Sequence, residues 1–355
     1  MVLNLLYLIG LLTTGFLLSL PVFIYTSKNN YNTYSIKKDV WIYMWILMLI
    51  SVCGLSLVMP DFYDIIVPIK LKNILIPFVL SAIIYIIYLL ETNWLLYLTI
   101  ALSSAVITFT TPENLVLFEN IPFYADRLII FSSLFIITFF SKILNGMSAA
   151  FGIFVVTILC GICLLSLIGG LPLSFGFVCG LICGIWIGFL RYNWYPSEVY
   201  LNDGACTSAG FLIGCLFLYS SFEYATGSIL VLGSYLWTEI LLVLSREYVF
   251  RIKETDFYNN TSYYVCYTKD IPVHSILISL SKIGVINVIF AGFQVYSSNE
   301  FSLPVFTIIA DLWLINTLFH ASEENKSFKQ INQSVFDDVK SNFKSIKDTF
   351  TKGKE

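Results

Sequence analysis

Charge is scarce in this sequence. Asp, Glu, Lys and Arg together supply 12% of its 355 residues, about half the share of an ordinary soluble domain, which excludes a globular protein with a solvated shell of charge. A basic leading segment and a small-residue cleavage site are both missing around the first apolar run. That run therefore reads as a retained helix, not as a signal peptide. No period of about 20–50 residues recurs, which sets aside repeat architectures, and no nucleic-acid-binding signature is present, so no nucleic-acid partner is expected. Cys160 and Cys163 form a CxxC without a matching second pair. Inside an apolar run they read as soft packing residues and not as a zinc or redox centre. The formal net charge of −3 says little about partners.

Apolar residues fill the space that charge leaves. They make up 57% of the chain, and the mean hydropathy is +0.81. Apolar runs of roughly 18 residues or more recur along the whole length, each long enough to cross a bilayer core as a helix. Runs of this length favour helices over barrel strands, because the backbone in lipid must satisfy its own hydrogen bonds. The expected fold is all-α and polytopic. Eleven transmembrane helices are predicted, near residues 3–26, 41–59, 73–90, 94–110, 127–144, 149–168, 172–190, 205–222, 227–245, 274–297 and 302–320. Residues 1–320 read as a membrane-embedded domain and 321–355 as a cytoplasmic tail.

Basic residues set the orientation. With the N-terminus outside, the cytoplasmic loops hold Lys28, Lys37, Lys38, Lys142, Arg191, Arg246, Arg251, Lys253 and Lys269, and the tail adds seven lysines. The outer loops hold only Lys70, Lys72 and Arg127. Sixteen against three predicts an outer N-terminus and a cytoplasmic C-terminus. Four polar segments then share the cytoplasmic face: Glu91–Trp94, Lys142–Ser148, Arg191–Gly204 and the loop 246–273. Any one of them alone is an ordinary solvated loop. The third stands apart, because it joins Pro196, the aromatics Trp194, Tyr195 and Tyr200, and a single Asp203 ahead of a helix start. Asp203 is either an N-cap for the helix beginning near Ala205 or a residue that binds something.

The stretch RYNWYPSEVYLNDG, residues 191–204, resembles the signature loop of the polyprenyl-phosphate sugar-1-phosphate transferases (glycosyltransferase family 4). The family pattern is approximately F-N-x-x-P-A-x-x-F-M-G-D-x-G-S, and Asn193, Pro196, Tyr200, Leu201 and Asp203 fall on matching positions without a gap. The preceding GIWIGFL, residues 184–190, fits the end of the family's previous helix. A second similarity runs from Ile121 to Lys142-Ile-Leu-Asn145-Gly146-Met-Ser148-Ala149, where the family has N-x-x-D-G-x-D-G. A weaker third is Glu239, seven residues before Arg246. Together they cover roughly residues 70–300.

The resemblance implies an integral protein of a bacterial inner membrane with its active face in the cytoplasm. It also implies transfer of N-acetylhexosamine 1-phosphate from a UDP-sugar to polyprenyl phosphate in envelope glycan synthesis, releasing UMP. Such chemistry rests on positioning and on neutralising phosphate charge, so the resemblance implies Mg²⁺ with Asp203 as its ligand. Tyr200 would stack on uracil, Asn193 and Asn202 would contact substrate, and Glu91, Lys142 and Asn145 would complete the catalytic set.

The departures are as informative. The family's paired Asp-Asp aligns with Glu91-Thr92, and its acidic D-G-x-D-G becomes Asn145-Gly146-Met147-Ser148-Ala149 with Lys142 ahead of it. The Gly-Asp pair is Asn202-Asp203, and the family's His-containing stretch is missing, His274 being the nearest imidazole. Either Lys142 supplies charge that a further metal contact would give, or the chain keeps the fold without the activity, as a scaffold or lipid-binding partner. A transporter is a third class, suggested by Glu239, Lys282 and Asp311 within spans. Without a repeat, these three read more simply as paired with each other or close to an interface. In the tail, Phe328, Ile331, Val335, Val339, Phe343, Ile346 and Phe350 form a helical stripe with lysines beside it. It suits the membrane surface, a second copy of the chain, or this protein's own loops.

Overall fold

The computed structural model describes residues 2–30, 40–58, 71–90, 93–112, 116–118, 121–221, 226–249, 261–268, 271–297 and 302–323. Glu91 and the tail stripe 328–350 lie outside the described residues. The elements in chain order are α1 (Val2–Asn30), α2 (Trp41–Val58), α3 (Leu71–Leu89), α4 (Asn93–Thr110) and α5 (Phe123–Ser141). A 3₁₀ turn, Lys142–Gly146, leads to α6 (Ala150–Leu167), α7 (Leu173–Asn193) and α8 (Asp203–Ser220). Then come α9 (Thr226–Leu232), α10 (Ser234–Leu244), α11 (Ser262–Thr268), α12 (Val273–Gln294) and α13 (Ser302–Glu323). No strand occurs among the described residues.

Six helices among the described residues are long and apolar enough to cross a membrane, or seven if the bent pair α9–α10 counts as one span. The outer faces of these and of the shorter apolar helices carry bare apolar side chains, with Leu17, Ile50, Leu128 and Phe109 well exposed. Serines, threonines and even carboxylates are buried inside. An apolar exterior around a partly polar interior is the pattern of an integral membrane protein.

Lipid offers no hydrophobic drive for helices to associate, so close van der Waals approach through small residues takes over. Gly176, Gly180, Gly184 and Gly188 recur every fourth residue along α7. A Cβ on Gly184 would stand 2.2 Å from the Leu12 carbonyl oxygen, and one on Gly15 2.3 Å from that of Leu181. Backbone therefore lies against backbone where α1 crosses α7. Toward its start the same stripe also meets α6, where Gly176 faces Ser166 and Gly180 faces both Cys163 and Leu8 of α1. Cysteines from both helices meet at this seam. Cys160 Sγ lies 3.4 Å from Cys183 Sγ, yet no group of three or more His, Cys, Asp or Glu among the described residues could hold a metal ion.

The helix α8 repeats the device. Gly210 packs on Ser141 and Gly214 on Leu134 and Ile137, drawing α5 close, while Gly204 lies against the ring of Tyr88 in α3. A buried polar chain fastens the same region: Trp41 Nε1 donates to Ser208 Oγ (3.1 Å), which donates to the Ser81 carbonyl (2.6 Å).

One expected span is interrupted. Residues 227–245 form two helices bent by 57°. The break falls at Gly233, where a Cβ would come 2.8 Å from Phe217 Cζ, so Phe217 packs where a side chain would continue the helix surface. Of the two expectations for Glu239, Lys282 and Asp311, pairing with each other or a place close to an interface, the structure does not pair the two carboxylates with Lys282. Glu239 bonds Tyr235 and Ser262, Asp311 bonds Ser234 and Asn287, and Lys282 is exposed.

Candidate functional site

The turn after α5 and the loop after α7 meet at one end of the bundle. Their junction follows from short polar side chains that replace missing regular backbone partners. The Trp194 N–H still donates to the Leu190 carbonyl, closing α7. The chain then folds back so that the N–H groups of Glu198 and Val199 both reach the Tyr192 carbonyl, at 2.9 and 3.3 Å. Asn193 is buried inside this fold. Its Oδ1 accepts from the Ala149 N–H (2.6 Å) and its Nδ2 donates to the Val199 carbonyl (2.6 Å). One amide thus fastens the start of α6 to both arms of the loop. Ser148 and Ser197 add a hydroxyl pair at 3.0 Å between the same segments.

Asn145 links the turn after α5 to Asp203. Its Nδ2 donates to the Leu201 carbonyl (3.0 Å) and to Asp203 Oδ1 (3.3 Å). The N-cap alternative for Asp203 is corrected by its neighbour. Asn202 Oδ1 accepts from the Ala205 N–H at 2.7 Å, so Asn202 is the cap and Asp203 the first helical residue. A carboxylate in that first turn also suits the positive end of the helix dipole. Ser141 Oγ donates to the Cys206 carbonyl (3.0 Å), holding this end of α8 on α5.

The remaining sequence-derived residues are placed differently. The Lys142 ammonium lies over the rings of Phe139 (4.8 Å) and Tyr97 (5.7 Å), a cation–π setting. Tyr200 is half-buried beside Leu201. His274 lies at the loop's edge, where its Nδ1 accepts from Trp194 Nε1 at 3.2 Å.

Two more residues brace the turn: Tyr263, which sequence reasoning passed over, and Glu239, which it marked only as a weak family similarity and a charge within a span. Tyr263, in α11, donates its hydroxyl to the Ile143 carbonyl, and burial pushes that hydroxyl well above the usual tyrosine range. Glu239 holds α11 in turn, accepting from the Ser262 N–H (3.1 Å) and from the Ser262 hydroxyl. Tyr263 sits among several tyrosines in a polar loop, and no spacing marks it out from them.

The junction offers one carboxylate, Asp203, held by the Asn145 amide, with the Ser148–Ser197 hydroxyl pair joining the neighbouring parts of the same segments. That suits a hard divalent cation which takes its other ligands from phosphate and water, and it does not suit a cage built by protein alone.

No family model matches the chain. Over 60 residues it is 40% identical to phospho-N-acetylmuramoyl-pentapeptide-transferase of Syntrophus aciditrophicus (strain SB). The match is short and the link distant. It covers 16% of this chain and 17% of that relative's length, which ties the chain remotely to that transferase family.

Proposed function

We propose that this protein is a divergent membrane sugar-1-phosphate transferase, acting at the cytoplasmic face of a bacterial inner membrane. It has eleven spans, an outer N-terminus and a cytoplasmic C-terminus. The observation that carries the reading is the Asn145–Asp203 contact at 3.3 Å. It joins the two stretches that carry the family resemblance, and the 60-residue match supports the same direction.

In this reading an oxygen of polyprenyl phosphate attacks the β-phosphorus of a UDP-N-acetylhexosamine. The bond from that phosphorus to the UMP oxygen breaks, and UMP leaves. Asp203 would hold Mg²⁺, which when bound neutralises charge on the diphosphate oxygens. Asn145 holds the Asp203 carboxylate in place through its amide. Tyr200 offers an aromatic face to uracil, while Asn193 and Asn202 fix the backbone on either side of it. Lys142 and Glu91 supply the remaining charge near the membrane surface.

A second reading has its own support. Among the described residues no group of three or more His, Cys, Asp or Glu could hold a metal ion, which favours a homologue that kept the fold and lost the activity to become a scaffold or lipid-binding partner. Exchange of UMP with UDP-N-acetylhexosamines, measured in membranes with Mg²⁺, separates the two. The transferase is expected to show exchange that falls about 10²–10³-fold in Asp203→Ala, the scale of losing one main electrostatic stabiliser. Undiminished exchange in that variant removes Asp203 as the metal ligand. Absence of exchange with every UDP-N-acetylhexosamine leaves the inactive homologue.

A further inference from the structure

Asp311 sits midway along α13 and is fully buried, with 0% exposure. Its Oδ2 accepts from Ser234 Oγ at 2.6 Å and from Asn287 Nδ2 at 3.3 Å. Ser234 opens α10 directly after the 57° break at Gly233, and Asn287 lies in α12. Three helices therefore meet at one carboxyl group, and Ser234 and Asn287 are buried with it. Both donors are neutral, and among the described residues no cationic side chain pairs with Asp311. Titratable groups on the helices packed against α13 are otherwise placed. Glu239 of α10 is taken up by Tyr235 and Ser262. Tyr263 of α11 bonds the Ile143 carbonyl, His274 of α12 bonds Trp194, and Lys282 of α12 is exposed.

Two further oxygens decide the state of this group. Asp311 Oδ1 and Asn287 Oδ1 are both buried without a hydrogen-bond partner. With Asp311 ionised, both stay orphaned and a bare charge sits inside a bilayer-spanning bundle, which is strongly disfavoured. A single proton on Asp311 Oδ1, donated to Asn287 Oδ1, satisfies both oxygens and removes the charge. Oδ2 keeps its two bonds as the carbonyl oxygen of a neutral acid. Acid and amide then exchange two hydrogen bonds edge to edge, and nothing larger than a proton has to enter the site.

We propose that Asp311 is a protonated, neutral acid in the folded protein, and that with Ser234 and Asn287 it forms a proton-held clasp tying α10 to α12 and α13 at the bend. The proton acts here as a ligand of the bundle, since its removal restores a buried charge and two unsatisfied oxygens. The clasp shares no residue with the Asn145–Asp203 junction and stands whether or not the chain is a transferase.

The test is infrared spectroscopy of the purified full chain at neutral pH, in a detergent without ester groups. A protonated carboxyl has a carbonyl stretch above the amide bands, and a carboxylate has none there. The wild-type protein is expected to show such a band, shifted in D₂O, and Asp311→Asn is expected to lose it. The variant's amide can repeat both bonds to Asn287 with no proton to titrate, which favours folding. Spectra that superimpose in this region overturn the proposal. Should Asp311→Asn fail to fold, Asn287→Ala decides. Its band is expected to move to higher frequency as the acid carbonyl loses the Nδ2–H bond, and a band that stays in place, or no band at all in the wild type, overturns the clasp.

Discussion

Ala149 carries a left-handed backbone with φ +69° at the entrance to α6. Side chains with a Cβ avoid this region, and glycine enters it freely. The conformation persists because the Ala149 N–H is held by Asn193 Oδ1 at 2.6 Å, so the loop after α7 fixes a turn that the local sequence resists. The family motif has glycine at this position, and the departure to alanine leaves strain of about 1 kcal/mol stored there. Ala149→Gly is therefore expected to stabilise the protein by about 0.5–1 kcal/mol, less the entropy glycine adds to the unfolded chain. Thermal unfolding in detergent checks the sign, and a lower Tm would refute the strain. The neighbouring pair Asn202-Asp203 marks the limit of reading residues alone. Both types cap helices well, and sequence gives no reason to prefer one. The choice depends on where the incoming loop leaves its extended backbone, at Asn202 with ψ 171°.

At the scale of elements, most helices were visible as apolar runs, because span length and lack of charge are strong signals. The contacts between them were not. The glycine ladder of α7 is plain in the sequence, yet which helix it receives depends on close approaches that only the structure supplies. Gly184 and Gly10 separate packing from propensity. A methyl at Gly184 meets the Leu12 carbonyl oxygen at 2.2 Å, whereas one at Gly10 meets nothing within 4 Å. Gly184→Ala is expected to cost about 1–3 kcal/mol by forcing α1 away from α7. Gly10→Ala is expected to be neutral or to stabilise slightly, because alanine favours helix. Equal effects in the two variants would show that helix propensity, not the α1–α7 contact, governs these glycines. The break at Gly233 was hidden for a related reason. An unbroken apolar run reads as one span, and the bend arises from Phe217 of another helix packing at a position with no side chain.

For the molecule as a whole, the fold class was legible because lipid imposes one dominant rule on composition. The candidate site was legible in part. The Asn193 and Asp203 spacing marked the loop, but the contacts that shape the junction, Asn193 with Ala149, Asp203 with Asn145 and Ile143 with Tyr263, join residues 44 to 120 positions apart in sequence. Nothing local encodes such pairings. The two ends of the bundle also differ in kind, and that difference bears on orientation. At the end holding the start of α5, Asp126 and Arg127 are buried, with Asp126 Oδ1 accepting from the Leu117 and Phe118 N–H groups and Arg127 donating to the Pro112 carbonyl. Charge there is turned inward to tie loops down. At the opposite end, Arg191, Glu198 and Tyr195 stay exposed around the Asn145–Asp203 junction. Basic residues left in water beside a span are the ones that bias orientation, so the junction end is expected to face the cytoplasm. The test is Glu198→Cys, treated with a membrane-impermeant maleimide in vesicles of both orientations and read as labelling above that of the parent chain. The added label is expected only in inverted vesicles; label confined to right-side-out vesicles would reverse the topology and put the candidate site on the face where no nucleotide sugar is supplied.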